Sequence, residues 1–377
     1  MIRKWIGIVI SCMYLIGCNQ RVPLEQASLI LLITLDRMPT GEMKVGASIP
    51  LFHHEKQKNM VEHWVRASTI YDGFSKMDTK LTGFVTSSKA EVILIGKKFA
   101  QEENWIQALD SSYRDPYATI NAKVVLVDGS AENIFKIHRP DKPSLPSYLN
   151  SLIESAIQNN QSVSSTVQQL MREKNEQGMT QTIPIIKKTD NEIDALGISF
   201  LDHEGKYITT ISKNDVKFFN LISKSNITGR MILHLVLSPK RANQNQNTSV
   251  LVQNTKRKIH VDFQKGKFLF NIDLSMNVSL IEKTNGNVTN NRLYSSKHIK
   301  GLENAIQREF NKKLQSMLQD MQINKIDPIG LSLYARAFQY KEWKKVKDEV
   351  DWLHNLSKAK IRVNTHVKIK DVGTIKN

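Results

Sequence analysis

The most regular hydrophobic pattern runs from Phe268 to Leu280. Phe268, Phe270, Ile272, Leu274, Met276, Val278 and Leu280 alternate with Asn271, Asp273, Ser275, Asn277 and Ser279. A period of two over this length predicts a half-buried strand. Ile259, Val261 and Phe263 alternate ahead of Gln264-Lys265-Gly266-Lys267, which predicts an antiparallel hairpin closed by that turn. The period then changes. Ile299, Leu302, Ile306, Phe310, Leu314, Met317, Leu318 and Met321 follow helical spacing, so one long amphipathic helix is expected from about 298 to 323. Ile361, Val363, Thr365, Val367 and Ile369 alternate with Arg362, Asn364, His366, Lys368 and Lys370 in a last strand. Trp343 and Trp352 sit nine apart in a helical stretch with Val346, Val350, Leu353 and Leu356, a packing stripe. The polar run from Ala242 to Ser249 reads as a loop. Residues 227–377 are therefore expected to be an α+β unit, an antiparallel sheet packed against a long helix.

Upstream the apolar runs are continuous. Ser28 to Leu35 ends at Asp36, Ala90 to Gly96 precedes a helical stretch from Lys97 to Leu109, and Ala122 to Asp128 follows. Short unbroken runs of this kind suit buried strands. Met43 to Pro50 is the expected partner of the first across the Pro39-Thr40-Gly41 turn. Residues 18–138 are thus expected to be an amino-terminal α/β domain. Pro140, Pro143 and Pro146 mark a linker. A small middle α/β domain is expected over 139–226, with helices at Ser147–Gln158 and Val163–Glu176 and strands at Ile183–Lys188 and Glu192–Leu201, then a turn at Asp202–Lys206. The fold class is α+β, with three mixed domains.

The first eighteen residues set the compartment. Arg3 and Lys4 precede an uncharged run from Trp5 to Ile16, which is shorter than the ~20 residues a membrane-spanning helix needs. That is the form of a secretory signal peptide, residues 1–17. Leu15-Ile16-Gly17-Cys18 resembles the bacterial lipoprotein signal. The resemblance implies that the Cys18 thiol carries diacylglycerol and becomes the first mature residue. Two chains would then hold the protein stably at a membrane surface.

Charge adds one constraint. Of 377 residues, 53 are Lys or Arg and 36 Asp or Glu, for a net +17. Cleavage before Cys18 leaves 51 against 36, or +15. An excess of this size calls for an anionic neighbour. In an exported protein that neighbour is a membrane or wall surface and not nucleic acid. The cysteines are Cys12 and Cys18 alone, so a disulfide framework and a cysteine zinc site are excluded from the body of the chain.

Catalytic patterns are missing. His53, His54 and His63 lie near Glu55 and Glu62, but His54-Glu55 has no second histidine at the H-E-x-x-H spacing. No G-x-S-x-G, G-x-x-x-x-G-K-[ST] or G-x-G-x-x-G occurs. The pairs Glu102-Glu103 and Asp348-Glu349 read as solvated helix faces. The sequence points away from an enzyme, and from any metal or cofactor.

Two stretches carry a family resemblance. One is Val92 to Ala100, with Leu109-Asp110 and Arg114-Asp115-Pro116 behind it. The other is Asp327-Pro328-Ile329-Gly330, then Ala335-Arg336, Lys341-Glu342-Trp343, Trp352 and the final alternating strand up to Gly373. The chain resembles the C-subunit lipoproteins of spore germinant receptors, the Ger(x)C family. Ile33-Thr34-Leu35-Asp36 departs from the family by lacking its usual glycine before the aspartate. The resemblance implies a non-catalytic lipoprotein outside the spore inner membrane, working with polytopic membrane subunits of the same receptor to sense nutrient germinants. A solute-binding lipoprotein of a transporter is the alternative that shares the anchor. An exported enzyme acting on wall polymer is a further class.

Overall fold

The computed structural model describes residues 27–51, 60–81, 83–137, 143–237, 246–283, 296–346 and 348–371. It contains fourteen strands among these residues. Strand β1 (Ala27–Leu29) precedes β2 (Leu32–Arg37), β3 (Met43–Pro50) and β4 (Met60–Ala67). Then come β5 (Phe84–Thr86), β6 (Val92–Gly96), β7 (Lys123–Val127), β8 (Thr182–Thr189), β9 (Glu192–Leu201) and β10 (Tyr207–Ser212). Strands β1 and β5 pair with each other, and the rest form one sheet in the order β10-β9-β8-β7-β6-β2-β3-β4.

Strands β2, β6, β7 and β8 run parallel at its centre. Their continuous apolar runs follow from burial on both faces. Ile33, Leu35, Ile93, Ile95, Val124 and Leu126 face helices α1 (Ile70–Asp78) and, further along the chain, Val167–Asn175. Leu32, Val92, Leu94 and Val125 face α2 (Leu145–Gln158) on the opposite side. The helix at Val167–Asn175 is α3.

The sheet does not stop at the linker. Strand β8 pairs with β7 through Leu126↔Ile185 and Val127↔Ile186, so the strands of 139–226 extend the first sheet and build none of their own. The helix expected over 97–109 is also interrupted. Lys97–Ala100 forms one turn, Asn104 adopts φ 58°, and Trp105–Leu109 continues as a 3₁₀ turn. The Asn104 amide donates to the Glu204 carbonyl at 2.9 Å, which ties the break to the β9–β10 turn, and asparagine tolerates the left-handed region.

Helix α4 (Lys213–Ser223) joins the first sheet to the second. Its Val216, Phe218, Phe219, Leu221 and Ile222 are buried in the same core as the carboxyl-terminal sheet. That sheet has the order β11 (Met231–Leu237), β12 (Gln246–Gln264), β13 (Lys267–Lys283) and β14 (Lys360–Asp371). Helix α5 (Ser296–Ile323) lies across one face through Ile306, Phe310, Leu314 and Leu318. Helices α6 (Leu331–Phe338) and α7 (Glu349–Lys358) follow.

Two expectations need correction here. The sheet is mixed, because β14 runs parallel to β13, with Asn271↔Arg362 and Asp273↔Asn364 in register. The three helices carry the chain back along the sheet, so the last strand starts at the same end as β13. A parallel pairing requires such a crossover. The polar run to Ser249 is only in part a loop, since Gln246–Ser249 opens β12 and pairs with β11. Backbone pairing with β11 is indifferent to the polarity of those side chains, and Thr248 and Ser249 are buried. Residues 242–245 lie outside the described residues.

Candidate functional site: the aspartate turn at the seam of the two sheets

The turn Asp327-Pro328-Ile329-Gly330 follows α5 and opens α6. Asp327 Oδ1 accepts from the Leu331 amide at 2.8 Å, and Oδ2 from the Ser332 amide at 2.8 Å. Together these cap the helix that Gly330, at φ 76°, admits. The indole Nε1 of Trp352 donates to Oδ2 at 3.1 Å. The Asp327 backbone is held as firmly. Its amide donates to Thr180 Oγ1 at 2.7 Å, and its carbonyl accepts from the Thr180 amide at 3.1 Å. Thr180 belongs to the segment that enters β8, so the turn fastens the second sheet to the first.

Trp352 is the centre of the packing. It is fully buried and meets Trp343 at 4.9 Å and Phe268 at 5.5 Å, both edge-on. Gly178, at φ +84°, lies against the ring. A Cβ there would stand 2.5 Å from Trp352 Cδ1, so only glycine fits. Ser332, Thr180 and Asp327 are likewise buried, and Arg336 pairs with Glu176 at 2.6 Å across the same seam.

Burial governs the electrostatics. It pushes the Asp327 carboxyl up to about 6, against the pull of the N–H groups of Ser332, Leu331, Trp352 and Gly330. Glu349, at the start of α7, is pushed up to about 7 by burial and by the carboxylates of Asp202 and Asp327. Burial also lowers Lys174 on α3. Among the described residues, Lys174 Nζ and Glu349 Oε1 each lack a hydrogen-bond partner. Reading Asp348-Glu349 as a solvated face therefore holds for Asp348, which caps α7 through the Asp351 amide at 2.8 Å. It fails for Glu349, whose oxygen is turned inward.

The second motif lies at the carboxyl ends of the parallel strands, where open α/β sheets take ligands. Asp36 accepts from the Ala131 amide at 2.9 Å, the Glu132 amide at 2.8 Å and Ser130 Oγ at 2.9 Å. Gly96 leaves room for that carboxylate, since a Cβ would come 1.9 Å from Asp36 Oδ1. Lys97 pairs with Asp128 at 2.8 Å, with Lys187 at 3.6 Å from the same carboxylate. The pairing raises Lys97 and lowers Asp128. Arg37 forks onto Glu102, Glu103 lies 3.9 Å from Lys206, and Tyr71 donates to Asp115 of the Arg114-Asp115-Pro116 motif. Each of these groups is engaged within the protein.

Two open clefts flank these features. One, of about 700 Å³, lies on the seam between Asp202, His203, Lys325, Asp348 and His354. The other, of about 460 Å³, is lined by Lys44, Trp64, Arg66, Lys76 and Lys80. His63 lies on β4, while His53, His54 and Cys18 fall outside the described residues. Among the described residues, no group of three or more His, Cys, Asp or Glu is placed to hold a metal. The sequence singled out Asp327, Gly330, Trp343 and Trp352. It missed Thr180 and Gly178, for which the only signal was a glycine at the end of a helical pattern.

The arrangement defines an α+β protein in which the residues of the aspartate turn lock the eight-stranded sheet to the four-stranded one. Comparison with known families agrees along nearly the whole chain. Residues 20–188 match the spore germination protein N-terminal domain, and residues 196–373 match the spore germination B3/GerAC-like C-terminal domain. The chain belongs to this spore germination protein family. It is 20% identical over 371 residues to the spore germination protein GerQC of Bacillus cereus, which spans 98% of this chain and 99% of that one. Its fold is similar to the crystal structure of the GerBC protein, with a TM-score of 0.57 at 18% identity over 90% of this chain and 96% of the other.

Proposed function

We propose that the protein is the non-catalytic C subunit of a nutrient germinant receptor, anchored by acyl chains on Cys18 to the outer face of the membrane that becomes the spore inner membrane. One observation carries this reading: both domains of the family match in order and fill the chain. The seam supports it, because the family's motif residues serve architecture. No helix among the described residues is long and apolar enough to cross a membrane; in this reading attachment is through Cys18 and the polytopic subunits of the same receptor. A transporter's solute-binding lipoprotein would be built as two similar lobes, whereas these two sheets differ in size and topology.

Deleting the gene should abolish the spore's response to one class of nutrient and leave growth and non-nutrient germination intact. Full nutrient response in a strain stripped of related receptors would refute the reading. Cys18→Ala should remove fatty-acid label from the protein, and Cys12→Ala should not. Label that persists on the Cys18 variant would refute the anchor.

A further inference from the structure

The carboxyl-terminal sheet is covered by helices on one face. On the other, the register sets Lys258 of β12 opposite Asp273 of β13 and Asp273 opposite Asn364 of β14, with Lys256, Ser275 and His366 in the next row. Strand β14 alternates exposed and buried residues along its length, so Lys360, Arg362, Lys368 and Lys370 share this open face. With Lys256 and Lys258 they make six exposed cations, and none forms an ion pair with a described residue. The nearby acids are Asp262, Asp273 and Asp371; Asp273 accepts from Asn364 at 3.3 Å and Asp371 from Ser279 at 3.3 Å. A solvent-facing sheet is polar by default. This one is polar with positive charge in excess, six cations against those three acids.

We propose that this open face of β12, β13 and β14 is the surface through which the protein lies against an anionic lipid bilayer. Its form matches that partner. From Arg362 to Lys370 the strand spans about 27 Å, and three strands add about 10 Å of width. The central strand carries Leu269, Asn271, Asp273, Ser275 and Asn277 on this face, mostly short side chains, so the cations flank a flat floor and not a pocket. A specific protein interface is built around buried aromatic or aliphatic anchors. The large exposed apolar residues of this sheet, Val236 and Ile281, lie beyond the end of β14. A flat lattice of cations without anchors fits a charged plane. The inference rests on the membrane location proposed above for its setting, and it is independent of the acyl chains.

The test uses the unlipidated chain from residue 19 and sedimentation with phosphatidylcholine vesicles that contain or lack phosphatidylglycerol. The chain should bind only the anionic vesicles, and high salt should release it. Each cation contributes roughly fivefold in partition. The triple variant Lys258→Glu, Arg362→Glu and Lys368→Glu should thus lose well over tenfold and melt as the parent does. If the reversals unfold the chain, the same positions changed to Gln carry the measurement. Arg66→Glu with Lys80→Glu, in the cleft beside Trp64, should bind normally. The proposal is overturned by a triple variant that binds like the parent, by equal loss in the cleft variant, or by binding that ignores lipid charge or salt. It is also overturned if the triple variant keeps its vesicle binding but no longer co-purifies with the membrane subunits, since the face would then be a protein contact. A missing label at Cys18 would refute the anchor and leave this result standing.

Discussion

Asp327→Asn isolates the electrostatics of the seam. The carboxyl titrates near 3.9 in an unfolded chain and near 6 in the fold. Between those values the folded chain holds a proton that the unfolded chain has released. Stability therefore falls as pH rises from about 4 to 6, and this group accounts for about 3 kcal/mol of the fall. Asparagine cannot titrate. Its single oxygen also faces a site where the amides of Leu331 and Ser332 and the indole of Trp352 converge. At least one N–H loses its acceptor, a loss of about 1–3 kcal/mol at every pH. Near pH 7.5, removal of the buried charge offsets that loss, and the variant should lie close to the parent. Near pH 4 the parent should lead by about 3 kcal/mol more. Urea melts of the unlipidated chain at stepped pH give the difference curve, in which the other titrating groups cancel. Glu349 titrates in an overlapping range with Asp327 as one of its causes, so the slope belongs to the pair until it is repeated in a Glu349→Gln background. A flat difference curve, or one in which the parent's lead grows with pH, would show that the hydrogen bonds outweigh burial and that the carboxylate stays charged.

Gly178→Ala forces a left-handed residue and a contact with an immobile indole, so it should lose about 2–4 kcal/mol; Gly266→Ala, with a similar φ in open space, should lose clearly less, and equal losses would remove the steric argument. Trp343→Ala should lose about 3–5 kcal/mol in a chemical melt, since the ring is buried; a normal melt would place it at the surface. A fragment of residues 227–377 should melt broadly and bind a hydrophobic dye, because the cut removes α4 and the shared core residues Ile198 and Phe200; a sharp melt would show that this unit is self-sufficient.

What could be read in advance follows a physical line. Strands β13 and β14 were legible because one face of each is wet, which leaves a period of two. The membership of β8 to β10 in the first sheet was not, because which strands become neighbours is a non-local pairing with no trace in local periodicity. Helix α4 was missed for a related reason: its burial on nearly every face, polar Lys217 and Asn220 included, comes from the two sheets it joins and not from its own sequence pattern. The Asp327 turn was visible as a motif and modest as a prediction. Its weight comes from Thr180, 147 residues away, and from a tryptophan whose own motif seemed separate. Asp36 and Gly96 repeat the lesson, because the glycine is required by a carboxylate that arrives from another strand.

The seam also bears on how a receptor subunit of this build could work. Opening it would strip a buried carboxylate of three donors, break the two backbone bonds to Thr180 and expose Trp352 to water. Exposure of Trp352 alone amounts to several kcal/mol, a large part of the stability of a typical domain; rehydration of the carboxylate works the other way above about pH 6, because burial outweighs its donors. Parting of the two sheets is then nearly as unfavourable as unfolding, and a signal carried by this subunit must travel as movement of the joined sheets or through their surfaces. Hydrogen exchange tests the point. The amides of Leu331 and Ser332 and the Trp352 indole N–H should exchange as slowly as the central amides of β13, at the rate set by global unfolding. Exchange at the seam much faster than in β13 would show that the sheets part on their own and would restore hinge motion as the signalling device.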